Sequence, residues 1–269
     1  MNPDFKDLFS IRGKVALVTG GSRGIGEMIA SGFAAQGAKV YISSRKAVAC
    51  DEVAQELSKL GPCISLPADL SSREGMAALV SAYAERESTL DILVNNAGAA
   101  WGEPFETFPE KGWDKVLDLN LKTPFFLTQA LIKPLRAAAG KQPAKVINIA
   151  SVDGIAVNPQ DVFSYTASKA GLIHLTRRMA LELARDNVMV SAIAPGAFAS
   201  EMNRLARDHA EQVGKAVPAG RIGRNEDMAG AAIYLASRAG DYVVGATLVV
   251  DGGVTVNAPP RHVDLMEGA

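Results

Sequence analysis

A short apolar run, Lys14-Val-Ala-Leu-Val18, passes straight into Thr19-Gly-Gly-Ser-Arg-Gly-Ile-Gly26 and then into a helical pattern from Glu27 to Gln36. No other stretch limits the fold as strongly. A brief, unbroken apolar run rich in valine is the pattern of a strand buried on both faces of a parallel sheet. Gly20, Gly24 and Gly26 permit a tight turn and a close backbone approach. The helix that follows aims its unsatisfied N–H groups at that turn, where a pyrophosphate would be held. The spacing is G-x-x-x-G-x-G rather than the commoner dinucleotide spacing G-x-G-x-x-G, but the physics is shared.

Further apolar runs near residues 39–43, 63–67, 92–95, 145–150, 189–194 and 247–250 alternate with helical stretches along the chain. Strands alternating with helices predict an α/β, doubly wound Rossmann-type fold: a parallel sheet of about seven strands with helices on both faces. The chain has 269 residues, 48% of them apolar, enough for a sizeable core, and no linker-like composition divides it. Residues 1–254 are expected to form one dinucleotide-binding and catalytic domain, followed by a C-terminal tail at 255–269. A net charge of −1 without a long basic run argues against a nucleic-acid partner. No apolar run reaches the length of a membrane span, and the N-terminus lacks the apolar core of a signal peptide, so a cytoplasmic protein is expected. Cys50 and Cys63 show no metal-ligand spacing and the three histidines form no ligand motif. Reduced thiols and no metal are expected.

The chemistry-bearing pattern lies in the second half. Tyr165-Thr-Ala-Ser-Lys169 sets a phenol and an ammonium four residues apart, with Ser151 fourteen residues upstream of the phenol. On a helix, positions i and i+4 share a face, so Lys169 is expected close to the Tyr165 hydroxyl, lowering its pKa from ~10. With a serine hydroxyl aimed at the same point, the set suits interconversion of a ketone and an alcohol, provided a dinucleotide carries the hydride.

The two ends together resemble the short-chain dehydrogenase/reductase family, and the resemblance runs from about Ile11 to Val254. It implies catalytic roles for Asn120, Ser151, Tyr165 and Lys169, with Asn120 holding a proton-relay water. Cofactor contacts are implied for Gly20, Ser22, Arg23, Gly24, Ile25 and Gly26 of the first turn, for Asp69 and Leu70 at the adenine, and for Asn96, Ala97 and Gly98 after the fourth strand. Pro195, Gly196, Phe198 and Ser200 match the nicotinamide side, where Tyr165 and Lys169 also take part; Phe198 and Ser200 stand where the family usually has a β-branched residue and a threonine, so Ser200 is expected to keep the hydroxyl bond and Phe198 to make a bulkier wall of the nicotinamide pocket. Members that only sense the dinucleotide typically lack the tyrosine or the lysine. Both are present here, which favours an enzyme.

The second strand, Lys39-Val-Tyr-Ile-Ser43, ends without the acidic residue that would accept from a ribose 2′-OH. Ser44 and Arg45 follow it, and Arg45, helped by Arg23 and Lys46, is placed to grip a 2′-phosphate, so NADP(H) is the expected cofactor. Residues 198–225, interrupted by Pro218, Gly220 and Gly223, read as a lid, and Trp101 is expected to add an aromatic wall. The family members most alike are the 3-oxoacyl thioester reductases, including the rhamnolipid-synthesis type. A ketone or alcohol carried on coenzyme A or acyl carrier protein is therefore the expected substrate, met by a basic rim of Lys133, Arg136, Lys141, Arg177, Arg178 and Arg185. A sugar-acid or other secondary alcohol dehydrogenase, or a general carbonyl reductase, is the alternative. Apolar residues around most of the circumference of 170–184 imply a second buried face; family resemblance points to a homotetramer.

Overall fold

Strands β1 (Val15–Thr19), β2 (Lys39–Ser43), β3 (Cys63–Ser65), β4 (Ile92–Asn95), β5 (Ala144–Ile149), β6 (Val188–Pro195) and β7 (Thr247–Val250) form one sheet. Their order is β3-β2-β1-β4-β5-β6-β7 and every pairing is parallel. This computed structural model describes residues 5–140, 142–157 and 159–256, so most of the expected C-terminal tail, from residue 257 on, lies outside the described residues. The strands fall where the apolar runs placed them because β1, β2, β4, β5 and β6 are buried nearly throughout, while β3 and β7 at the sheet's edges are only partly buried.

Helices cover both faces. Helices α1 (Gly24–Ala35), α2 (Ala47–Leu57) and α10 (Asn225–Ala236) lie over one face, where Ile29, Phe33, Cys50, Leu57, Met228 and Ala232 form a buried cluster with Val18, Ile42 and Ile193. The opposite face is covered by α3 (Arg73–Ala84), α5 (Thr123–Ala130), α6 (Ile132–Ala139) and α7 (Phe163–Leu183), whose Leu79, Tyr83, Leu127, Leu135 and Met179 pack with Leu17, Leu93 and Val146.

The stretch from Glu110 to Ala139 is not one continuous helix. Helix α4 (Glu110–Leu117) opens into a π turn over Asp118–Lys122, closed by Thr123 N–H donating to Asp118 O, before α5 and α6 resume. Such turns insert a residue and re-aim side chains; here the residue re-aimed is Asn120. The short helices α8 (Arg204–Asp208) and α9 (Ala210–Lys215) occupy the expected lid. The lid's ends are pinned together, with Gly223 N–H donating to Ala197 O at 2.8 Å.

Strand order reverses between β1 and β4, the switch point beyond which open parallel sheets bind ligands. The first glycine turn, the segment after β4, Ser151 after β5 and Pro195 at the end of β6 all stand at the carboxyl edge. Among the described residues, no helix is long and apolar enough to cross a membrane.

Candidate active site

The glycine turn is built against the end of β4 through Thr19. Its Oγ1 donates to Val94 O (3.1 Å) and accepts the N–H groups of Asn96 (2.9 Å) and Ala97 (3.0 Å). Asn96 Nδ2 in turn donates to Thr19 O (2.9 Å) and Gly20 O (3.2 Å). Gly20 and Gly24 have φ of 64° and 54°, and a Cβ on Gly26 would stand 2.2 Å from Gly20 O. The turn thereby brings α1 in backbone-first. No side chain caps that helix: Arg23, at its N-cap, makes no capping hydrogen bond. Uncapped N–H groups at a concave, glycine-lined turn fit a pyrophosphate.

Ser151, Tyr165 and Lys169 come together from β5 and α7. Ser151 is buried, and its Oγ accepts the N–H of Asp153 at 3.1 Å. Burial pushes the Tyr165 phenol up to about 12; the hydrogen bond with Ser151 pulls against it, and the Asp153 carboxylate adds to the rise. Lys169, 5% exposed, donates from Nζ to Ile149 O at 2.7 Å and lies 5.5 Å from the centre of the Tyr165 ring. The ammonium is therefore beside the ring and drawn toward β5. The shift runs opposite to the expected lowering by Lys169: burial raises the phenol, only the Ser151 hydrogen bond opposes it, and burial also pulls Lys169 down to about 8.

Asn120 is 1% exposed and its amide is fully engaged. Oδ1 accepts Ala99 N–H (2.8 Å), and Nδ2 donates to Ala99 O (2.9 Å) and Ser168 Oγ (3.0 Å), which itself donates to Tyr165 O at 2.7 Å. The side chain thus ties the loop after Gly98 to the catalytic helix. Beneath it a buried ladder crosses the sheet: Asn95 Nδ2 donates to Thr128 Oγ1 (3.2 Å) and Asn148 Oδ1 (2.9 Å), and Asn148 Nδ2 donates to Thr176 Oγ1 (2.9 Å). The motifs do not reveal the roles of Thr19, Asn148, Ser168 and Thr176, and they include Asn95 only as the start of the segment Asn95-Asn-Ala-Gly98 that ends the fourth strand. A polar residue inside an otherwise apolar strand, as at Asn95 and Asn148, is the signal that could have found them.

Beyond β2 no carboxylate stands at Ser43 or Ser44, and Arg45 is exposed. Asp69 accepts from Ser71 N–H (3.0 Å) and Oγ (2.7 Å); that hydroxyl, with a smaller contribution from Arg45, holds its carboxyl below the usual range. Arg45 and Asp69 are thus on one rim. Leu70 is buried in the core, leaving its backbone, whose carbonyl accepts Thr123 Oγ1 at 3.0 Å.

Across the site, Gly196 N–H donates to Val250 O at 3.0 Å, fixing the turn after Pro195. Ser200 stands against the glycine turn: a Cβ on Gly24 would lie 3.0 Å from its own. Two aromatic residues face elsewhere than expected. Phe198 is 3% exposed, its ring packed into the core over Gly223, so only its backbone can border the site. The Trp101 indole lies on Gly112 of α4 with Lys115 Nζ 5.3 Å from its centre, and is no free wall.

The comparisons agree with this geometry. A family model described as Enoyl-(Acyl carrier protein) reductase matches residues 20–255. The chain is 47% identical over 249 residues to a rhamnolipids biosynthesis 3-oxoacyl-[acyl-carrier-protein] reductase of Pseudomonas aeruginosa, covering 91% of this chain and 97% of that protein. It is 37% identical over 255 residues to gluconate 5-dehydrogenase of Gluconobacter oxydans, covering 93% and 98%. Among solved structures, the Pseudomonas aeruginosa RhlG/NADP active-site complex matches with a TM-score of 0.89 at 45% identity, covering 93% of this chain and all of that one. Sheet, site and relatives lead to one conclusion: the chain belongs to the short-chain dehydrogenase/reductase family of oxidoreductases.

Proposed function

We propose that this protein is an NADPH-dependent reductase that converts a 3-oxoacyl thioester to its 3-hydroxyacyl product. The carrying observation is the junction of Ser151 and Tyr165 hydroxyls over a buried lysine. A phenol held up to about 12 stays protonated at neutral pH, so Tyr165 is a proton donor to an alkoxide, a far stronger base than a phenolate. Ser151 donates a hydrogen bond to the same oxygen as negative charge develops on it. Lys169, tied to Ile149 O, would bind the ribose next to the nicotinamide. Asn120 holds Ala99 and, through Ser168, the catalytic helix.

NADPH, when bound, supplies the hydride. The glycine turn with Ser22, Ile25 and the N-terminus of α1 would hold its pyrophosphate. Arg45, Arg23 and Ser44 would meet the 2′-phosphate, and Asp69 with Leu70 the adenine. Asn96 to Gly98, Pro195, Gly196 and Ser200 would border the nicotinamide. The relative of known structure with NADP bound supports this cofactor.

The thioester reading draws on the 3-oxoacyl reductase relative and on apolar residues left uncovered after β5 and β6: Ile155, Val157 (95% exposed), Met202 and Leu205. The expected basic rim, of which Lys141 lies outside the described residues, supports it less. Arg136 pairs with Asp186, and Arg178 and Arg185 pair with Glu182. A sugar-acid dehydrogenase is the second reading, favoured by the gluconate 5-dehydrogenase relative. The proposal includes one domain over residues 1–254, a cytoplasmic location and a homotetramer. Uncovered Phe125 and Phe126 on α5, and Leu181, 76% exposed on α7, support the assembly.

The deciding experiment is steady-state NADPH consumption with acetoacetyl-coenzyme A beside 5-ketogluconate and a set of aryl and cyclic ketones. The proposal expects the highest kcat/KM with the thioester. A thioester value far below any of the others overturns the substrate assignment and leaves the catalytic residues in place.

A further inference from the structure

A run of hydrogen bonds joins the segment at Asp69 and Leu70 to the helix that carries Tyr165, and it passes through one buried hydroxyl. Thr123, at the start of α5, closes the π turn. Its N–H donates to Asp118 O, and its Oγ1 stands 3.0 Å from both Asp118 O and Leu70 O, with one proton to share between them. Leu70 belongs to a tightly built segment. Ser72 Oγ caps α3 by accepting Gly75 N–H at 3.0 Å, and a Cβ on Gly75 would stand 2.0 Å from Asp69 O. On the other side of Thr123, the π turn presents Asn120. That amide grips the Ala99 backbone and donates to Ser168 Oγ, which in turn donates to Tyr165 O.

We propose that Thr123 is a positioning residue that ties the two ends of the dinucleotide site together, so that filling the adenine end raises turnover at Tyr165. This rests on the reading above, in which Asp69 and Leu70 meet the adenine and Tyr165 donates the proton. A π turn inside a helix is rare, and here the Thr123 hydroxyl holds its closing residue against Leu70. Relaxation to ordinary α-helical spacing would take up the extra residue and turn Asn120 by about 100° around the helix axis. Its amide would then leave Ala99 and Ser168. An adenine seated on Asp69 and Leu70 steadies the carbonyl to which the hydroxyl is tied. Binding energy gained far from the nicotinamide is thereby used to hold the reacting groups in place. Without the hydroxyl, the two ends of the cofactor act independently.

The test supplies the cofactor in two pieces. Reduced nicotinamide mononucleotide carries the hydride, and adenosine 2′,5′-bisphosphate fills the adenine end. The ketone is the one of highest kcat/KM in the panel above that carries no nucleotide, reduced by wild type, Thr123→Val and Thr123→Ser. The quantity read is the factor by which the adenosine piece raises each protein's own rate with the mononucleotide. In wild type that factor should be about fivefold or more, the worth of one hydrogen bond between neutral groups. Thr123→Val should show less than half of the wild-type factor, and Thr123→Ser should keep more than half. Thr123→Ala replaces the valine variant if that one does not fold. A merely structural role would lower the rates with and without the adenosine piece together and leave the factor unmoved. The proposal is overturned if the wild-type factor falls below about fivefold, if the valine variant keeps half of it or more, or if the serine variant loses it. Ready turnover of NADPH without that stimulation counts against the coupling alone. No turnover of NADPH with any ketone removes the reading on which the coupling rests, and the coupling with it.

Discussion

Replacing Lys169 with methionine should stabilise the cofactor-free protein while destroying its activity. The lysine is 5% exposed, and its one hydrogen bond is to Ile149 O at 2.7 Å. Its pKa falls from 10.5 to about 8 through desolvation, which corresponds to a penalty of about 3 kcal/mol on the folded state at neutral pH. Methionine fills a similar volume without charge and forfeits the bond to Ile149, a loss of roughly 1–2 kcal/mol. The net gain is therefore about 1–2 kcal/mol at pH 7, equivalent to a rise in Tm of roughly 2–8 °C for a chain of this size. The sign with pH follows from the lowered pKa. Between about 8 and the unfolded value the unfolded chain binds the extra proton, so wild type recovers stability as pH rises, and near pH 9.5 the advantage of the variant should almost vanish. Urea unfolding followed by tryptophan fluorescence, at fixed protein concentration and without cofactor, measures this at both pH values. A Lys169→Met protein less stable than wild type at pH 7, or one whose advantage grows with pH, would refute the reasoning.

Three further outcomes are expected. Arg45→Ala should lose its preference for NADPH over NADH by tenfold or more, as the loss of one charge-assisted bond of ~1.5–3 kcal/mol implies; unchanged selectivity in kcat/KM would contradict the role of Arg45. Gly154→Ala should lower kcat by about tenfold or more with its circular dichroism preserved, because the added Cβ must displace the 3-10 turn Val152–Gly154 from the Lys169 backbone; an unimpaired variant would show that the contact is slack. Sedimentation at micromolar concentration should give a tetramer, and Leu181→Glu should shift it toward smaller species; a wild-type monomer would refute the assembly.

Much of this molecule was legible in its sequence, and what was not has a common cause. The strands were readable because valine- and isoleucine-rich runs such as Val15–Thr19 and Ala144–Ile149 are buried on both faces, where local composition and tertiary environment agree. The Tyr165–Lys169 spacing correctly placed the two side chains on one helix face. It could not tell where the ammonium points, because that is decided by the Ile149 carbonyl on another element. Phe198 and Trp101 read as pocket walls, yet each ring is taken up by a distant glycine, Gly223 and Gly112. The π turn at Asn120 was equally hidden. Its amide is drawn between Ala99 and Ser168, and such a contact leaves no periodic trace.

The most direct test of the whole account is turnover by Tyr165→Phe with NADPH binding measured alongside it. The variant removes one oxygen and leaves the ring, the buried lysine and the glycine turn in place. A kcat lower by at least ~10²-fold, with NADPH still bound as judged by its fluorescence, is the expected result. A kcat near that of wild type would mean that the proton comes from elsewhere and that this is not the reacting centre.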